Sequence, residues 1–600
     1  MREHLDMRSN LNSRSLSVLL LIGFVVLVAP GCRKKATVTT NQVSIKTTVK
    51  QTSSFDASID FLNNLEQFKP TTVDDQILGN LRDWSGEAKA SIEWSADPMF
   101  NRLPQQYKQF FTTEGLAAPA FERFDVNPLK ETVWMRDIAR NVATRTLDDP
   151  TLKAWLSSAV EQGQLSEDLK ADLTLTYQLF DWTIRNTQLD SAQDPDDVVG
   201  DPEDPNAFRH QYEPWENVLY GHADWLERSR IFILLCRQMG IDAVMLVAER
   251  DGEPAQPWAV GVLIGKEQQT ETANASELYL FDALLGVPLP GQGRAPFGRL
   301  SEYINDPTLL DKLSVGSSPY RLGTSDLENL TASIEATQTS LSQRMKQVES
   351  RLKGKLKMVL TVEPTSMARE LRNKAGIKKV EIWPYPFRRN LFFRELANNP
   401  TATPNLVERL EREQIPFLMR SKLMQGRLLQ FRGKYKGGLD DPGANELFLD
   451  SRLSKQQLKR FSIPLEKLRE ISKDLPQPSP FLEGLPKDPA EANAIYQERV
   501  STSLQNAIWN KDNATIWMAM TSLDNQQYEV AQHHLGQILE NKSSRWHQQA
   551  RYNMARAHES LGKLNDDASL IEAAIELYES DKDSPQYDGN LLRAATLRNK

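Results

Sequence analysis

Two cysteines, Cys32 and Cys236, are the chain's candidate nucleophiles, and seven histidines are its candidate bases. Thiol chemistry needs a thiolate, a base within hydrogen-bond reach and a group that orients that base. Cys32 closes Ala29-Pro30-Gly31-Cys32, directly behind the apolar run Leu16–Ala29 and ahead of Arg33-Lys34-Lys35. Cys236 lies between Leu235 and Arg237 inside a segment with apolar residues at helical spacing. Mid-helix it lacks the helix N-terminus that lowers a thiol pKa, so it reads as packed and inert. His210 and His222 are close enough in sequence to Asp224 and Glu227 to suggest an imidazole–carboxylate site, with ordinary capping or packing as the alternative. No His/Cys/Asp cluster has the spacing of a structural zinc site, and no cofactor is expected. The acidic, proline-broken stretch 194–205 lacks the alternating ligands and central glycine of an EF-hand loop and reads as a solvated loop.

Arg2, Arg8 and Arg14 precede the apolar run, which is shorter than the roughly 20 residues a membrane-spanning helix needs. A basic region, a short apolar region and small residues before a cleavage point make a secretory signal. A cysteine just past that point resembles the lipobox of bacterial lipoproteins, although Ala29 stands where leucine is usual and Pro30 follows it. The resemblance implies cleavage before Cys32, lipid on its thiol and a membrane-anchored protein of the bacterial cell envelope, facing the periplasm or exterior. Plain secretion and an uncleaved anchor are the alternatives, and each exports the remainder. With Cys32 acylated, Cys236 is left alone and no internal disulfide can form.

The 600 residues, 40% apolar and 25% charged, allow several globular domains. A net charge of −8 argues against a nucleic-acid partner. The expected class is α+β, predominantly helical. A signal peptide (1–31) and a polar tether (32–56) precede a helical region (57–171). Within 172–300, helices at Leu173–Arg185 and Ala223–Met239 lead to strands at Asp242–Ala248, Trp258–Ile264 and Leu278–Phe281, rich in Val, Leu, Ile and aromatics. The 266–277 connection is polar and expected to be exposed. For 325–388, Ser325 and Glu328 suggest a capping box. Leu327, Leu330, Ile334, Leu341, Val348 and Leu352 then suggest one long amphipathic helix, packed on its own domain or paired in a coiled coil. A small β-α-β module follows, with strands at Leu356–Val362 and Val380–Trp383 around a helix near Met367–Lys374. Residues 389–487 read as helical, and the basic stretch Arg420–Tyr435 as solvated helix faces. Residues 583–600 read as a flexible tail.

Gly221-His222-Ala223-Asp224-Trp225 through Leu235-Cys236-Arg237-Gln238-Met239-Gly240-Ile241-Asp242-Ala243 resembles the core of bacterial transglutaminase-like domains, a papain-related superfamily. There a cysteine opens the helix that runs into a Gly-Ile-x-Ala turn. The resemblance covers 172–295 and implies a triad. By the family's spacing the nucleophile position falls on Trp225 and the base on Pro257, beside Trp258, while the third position keeps its residue type as Asp282. Indole and proline cannot perform acyl transfer, so the resemblance implies a pseudoenzyme. Its cleft would be left to hold an extended peptide against Trp225, Trp258 and Asp282.

In 488–582, Trp517-Met518-Ala519 is echoed by Asn553-Met554-Ala555, and Tyr528–Ala531 by Asn565–Ala568. These segments resemble tetratricopeptide repeats, whose period is about 34, with Gly562 suited to the turn. An unrelated helical bundle is the alternative. Gly426 and Gly433-Lys434-Tyr435 hint at a further, degenerate unit. The resemblance implies a concave peptide-binding groove. The expected function is a non-catalytic, lipid-anchored scaffold that binds a protein or peptide. The rival is an envelope thiol hydrolase or acyl transferase with a non-standard active site.

Overall fold

The computed structural model describes residues 53–598 except 69, 88–92, 109–111, 192–197, 200–207, 251, 253, 266–275, 316–317, 399–409, 411–420, 439, 453–458 and 474–478. The signal peptide, Cys32, most of the tether, most of the acidic loop and Arg420 lie outside the described residues. The tether reading ends early, because a helix already begins at Ser54, capped by the Ser53 side chain.

The chain is predominantly helical around one mixed sheet. Asp242–Ala248 (β1), Gln256–Ile264 (β2), Glu277–Asp282 (β3), Val287–Pro288 (β4), Leu330–Ile334 (β5) and Ile377–Ile382 (β6) lie in the order β6-β5-β1-β2-β3-β4. All neighbours are antiparallel except β5 and β6. Side chains alternate across a strand. Met245, Val260, Val262 and Phe281 enter a core on one face; Val244, Leu246, Leu278 and Leu280 enter a second core on the other. Both faces are covered, which is why these strands read as nearly unbroken apolar runs.

The helices on the first face are Ser54–Asn63 (α1), Pro70–Glu87 (α2), Val126–Ala143 (α3), Pro150–Glu161 (α4), Glu167–Asn186 (α5), Pro214–Tyr220 (α6) and Trp225–Gln238 (α7). Helix α7 is central. Asp224 accepts from the Glu227 N–H while the Glu227 carboxylate accepts from the Asp224 N–H, a capping box that fixes where it starts. It is buried on nearly every side, and Phe232 meets Phe180 of α5 and Phe281 of β3.

The expected long helix at 325–352 is broken. Thr324–Glu328 is one 3-10 turn, Leu330–Ile334 is strand β5, and Gln343–Arg351 (α8) is helical. The capping carboxylate is Asp326, not Glu328; it accepts from the Gly323 N–H and pairs with Arg250. Leu330 and Ile334 fit helical spacing and strand alternation equally well, and pairing with β1 and β6 decides for the strand. Residues 356–362 form no strand. Pro364–Leu371 (α9) is the helix that returns to β6, so the β-α-β unit extends the main sheet rather than standing apart.

Tyr385–Asn398 (α10), Lys422–Phe431 (α11) and Ala444–Ser451 (α12) follow. The C-terminal helices are Pro489–Asp524 (α13), Tyr528–Leu539 (α14), His547–Asn565 (α15), Ala568–Ser580 (α16) and Tyr587–Arg598 (α17). From α11 and α12, the pair hinted at by Gly426, each member packs on the next through α13 to α17. The turns at Gln526 and Asp566, both left-handed, are forty residues apart, so Tyr528 corresponds to Ala568 rather than to Asn565. Gly562 is not in a turn; it lies within α15, where a Cβ would meet Ile571 of α16 at 2.8 Å. The tail is not loose either, since α17 buries Ala594 and Leu597.

Arg420–Tyr435 is not a set of solvated faces among its described residues. Arg427 is fully buried, stacks 3.5 Å from the Trp517 ring and donates to the Val218 carbonyl at 2.5 Å. Arg432 pairs with Glu66 and Asp137.

Candidate functional site

The positions to which the resemblance assigns a triad lie in the first turn of α7, at the start of β2 and at the end of β3. Trp225 is the first residue of α7, half-buried, and Pro257 lies in β2 opposite Val247. Asp282 ends β3 with no exposed surface. Its Oδ1 accepts from the N–H groups of Leu284 and Leu285 at 2.9 and 3.1 Å. Its Oδ2 accepts from the Tyr320 hydroxyl at 2.7 Å and lies 3.0 Å from Nη2 of Arg321. Trp258 donates its indole N–H to the same Tyr320 hydroxyl at 2.9 Å, and its carbonyl accepts from Arg321.

Arg321 also lies over Trp225, its guanidinium carbon 5.0 Å from the ring centroid. A cation therefore stands between the first and third positions, contributed by a loop far along the chain. Burial works against the charged guanidinium, but the Asp282 carboxylate outweighs it and raises the Arg321 pKa. Burial pushes the Tyr320 phenol well up, with Arg321 opposing the shift and Asp282 adding to it. Guanidinium donates only and does not give up its proton in proteins, so Arg321 cannot take the place of a general base here. Trp258 and Asp282 are both fully buried and bonded through Tyr320, so neither forms the wall of an open peptide cleft. Of the three expected cleft residues, Trp225 alone reaches the surface.

At the start of α7 the positive end of the helix dipole faces carboxylates. Burial pushes the Asp224 carboxyl up to about 6, and burial with Asp224 alongside pushes Glu227 well above its usual range. Tyr385 lies 3.3 Å from Asp224, and Glu227 accepts from the Tyr212 N–H at 2.6 Å.

His222 does pair with a carboxylate, but with Asp190, Nδ1 to Oδ2 at 2.6 Å, rather than with Asp224, Glu227 or Asp282. Burial favours a protonated Asp190; His222 outweighs it and lowers that carboxyl. His210 packs edge-on against Tyr212, Phe392 and Phe393, and burial, then Arg389, pulls its pKa well down. Cys236 has no exposed surface, and burial pushes its thiol far up. It lies about 16 Å along α7 from Trp225 at 1.5 Å per residue.

Arg321, Tyr320 and Asp190 were not singled out from sequence. Tyr320 and Arg321 occupy an irregular segment, and no spacing relates them to Asp282. Asp190 directly follows the two-residue strand Gln188–Leu189, which pairs in parallel with His222–Ala223; that pairing alone sets Asp190 beside His222.

The C-terminal helices are also joined to the core by ion pairs and hydrogen bonds. Asp524 of α13 meets Arg145 and Arg185, Arg556 of α15 meets Asp181, and Lys563 meets Asp149. Gln549 and Asn553 donate to the Arg185 carbonyl, and Gln586 accepts from Arg228 at 2.7 Å. Helix α5 and its neighbours thus pack directly against α13 and α15. Among the described residues no group of His, Cys, Asp and Glu could hold a metal ion, and no helix is long and apolar enough to cross a membrane. No protein-family model, curated protein or solved structure matches the chain, so its functional reading rests on the chemistry of these side chains.

Proposed function

We propose that this chain is a non-catalytic, lipid-anchored cell-envelope protein whose transglutaminase-like core and C-terminal helices serve as a protein-binding scaffold. The observation that carries the reading is Arg321. Its guanidinium lies between the Trp225 indole and the Asp282 carboxylate, where acyl transfer would need an imidazole between a thiol and a carboxylate. Neither indole nor guanidinium attacks an acyl group or accepts a proton. With one side of the C-terminal helices packed on the core, partner contact is assigned to surfaces left outside, such as α14, where Val530 is exposed.

The test uses the full-length protein in detergent, assayed for ester and amide hydrolysis and for amine transfer to a glutamine peptide. No turnover is expected, in wild type or in Cys236→Ala. Turnover lost in Cys236→Ala would overturn the non-catalytic reading. Intact mass is expected to show cleavage before Cys32 and two acyl chains, and a chain that keeps residues 1–31 would overturn the lipid anchor.

A further inference from the structure

The carboxyl end of β5 is where the sheet changes its pairing: β5 runs parallel to β6 and antiparallel to β1. Where strand connections diverge at such an end, open sheets leave crevices that collect ligands. Here a crevice of about 230 Å³ opens between the end of α7, the first residues of β1 and the segment 359–370. Its apolar lining comes from Ile233, Ile241, Val359 and Met367. Glu363, Ser366 and Glu370 also line it, and their spacing puts them on one face of α9 and its N-cap; Asp242 stands at the start of β1.

The cation already at this crevice is not available. Arg237 donates to the Glu335 carbonyl at 2.6 Å and pairs with the Glu335 carboxylate at 2.7 Å. Glu363 pairs with Lys346 at the exposed rim, 3.1 Å apart. Among the described residues the Glu370 carboxylate and the Ser366 hydroxyl have no partner. The volume falls below the roughly 300–1,000 Å³ of sites for drug-sized ligands, so it suits one side chain rather than a whole cofactor. Apolar lining beside carboxylate and hydroxyl acceptors matches a side chain with a methylene stem and a charged head.

We propose that this crevice receives a long basic side chain, lysine or arginine, presented by a partner polypeptide. The stem lies along Ile233, Ile241 and Met367, and the charged head donates to Glu370, Ser366 and Glu363. That the side chain comes from a polypeptide rests on the scaffold reading; the chemistry of the crevice does not.

The test is methyl NMR on full-length protein labelled at methionine, with Met367 assigned by Met367→Leu. The probes are N-acetyl-lysine methylamide, its arginine counterpart, N-acetyl-norleucine methylamide and calcium chloride. The basic probes are expected to shift Met367 saturably, and Glu370→Gln to weaken them about tenfold, the loss of one charge-assisted contact. A silent Met367, an equal response to norleucine, or an equal response to calcium alone would each overturn the proposal. The two readings fail separately, because catalytic turnover would sink the scaffold while leaving the response of Met367 unchanged.

Discussion

A Cβ on Gly221 would overlap the indole ring of Trp517, so the turn that precedes α7 and the long helix α13 meet through a gap that only a glycine leaves. Gly221 also has φ +80°, a left-handed conformation that side chains disfavour. The C-terminal helices are therefore seated on the core by steric fit as well as by ion pairs.

Gly221→Ala is expected to cost about 2–4 kcal/mol, the sum of overpacking and backbone strain. Gly163→Ala supplies the control: its φ is +70° but a Cβ there would meet nothing within 4 Å, so only the strain, about 1–2 kcal/mol, should appear. Urea midpoints measure both. Equal losses would show that Trp517 yields and that the seat is loose.

Asp282→Asn should destabilise by about 3–5 kcal/mol, because it leaves the Arg321 guanidinium buried without its counter-charge. Arg321→Met in that background should recover much of the loss, since removing both charges removes the desolvation cost. Denaturant titrations over the double-mutant cycle measure the coupling. Additive losses would mean that Arg321 does not depend on Asp282.

What could be read in the sequence follows the range of the forces involved. Asp242–Ala248 was legible to the residue because six of its seven side chains are buried, whereas the helix read from Ala223 begins at Trp225, where the capping box of Asp224 and Glu227 sets its start. Leu330–Ile334 was misread because its apolar residues satisfy two periodicities, and β-sheet neighbours distant in sequence choose between them. The 583–600 segment looked loose because its composition is polar; it is held by a backbone approach of Gly589 to Leu285 that no local pattern encodes. The Arg321–Asp282 pair was invisible for the same reason. A loop side chain that reaches a strand end leaves no spacing to detect.

Cys236 tests the same packing from inside α7. Its thiol is fully buried and pushed far up by burial, so native protein should not react with iodoacetamide between pH 6 and 9. Labelling should rise only with urea, following the global transition monitored by circular dichroism. Modification at pH 6 without denaturant would reveal a thiolate and return Cys236 to the list of candidate nucleophiles.

The carboxylates at the start of α7 set a pH dependence whose sign can be worked out. Burial pushes the Asp224 carboxyl up to about 6, against about 3.9 in an unfolded chain. Between those values the folded state keeps a proton that the unfolded state has lost, so this group's contribution to stability falls as pH rises from about 4 to 6. Glu227, raised beside it, extends the decline to higher pH. Glu559 acts in the opposite sense. Burial opposes its ionisation, but Arg593, Lys563 and Arg556 outweigh that and hold it well down, so its loss of stability comes at pH below the ordinary glutamate range. Asp224→Asn keeps an N-cap acceptor and removes the titration. The stability of wild type minus that of Asp224→Asn, from urea midpoints, should therefore be largest near pH 4 and shrink steadily to pH 6.5. Parallel curves over that range would show that Asp224 is ionised throughout, and that the cap is charged rather than protonated.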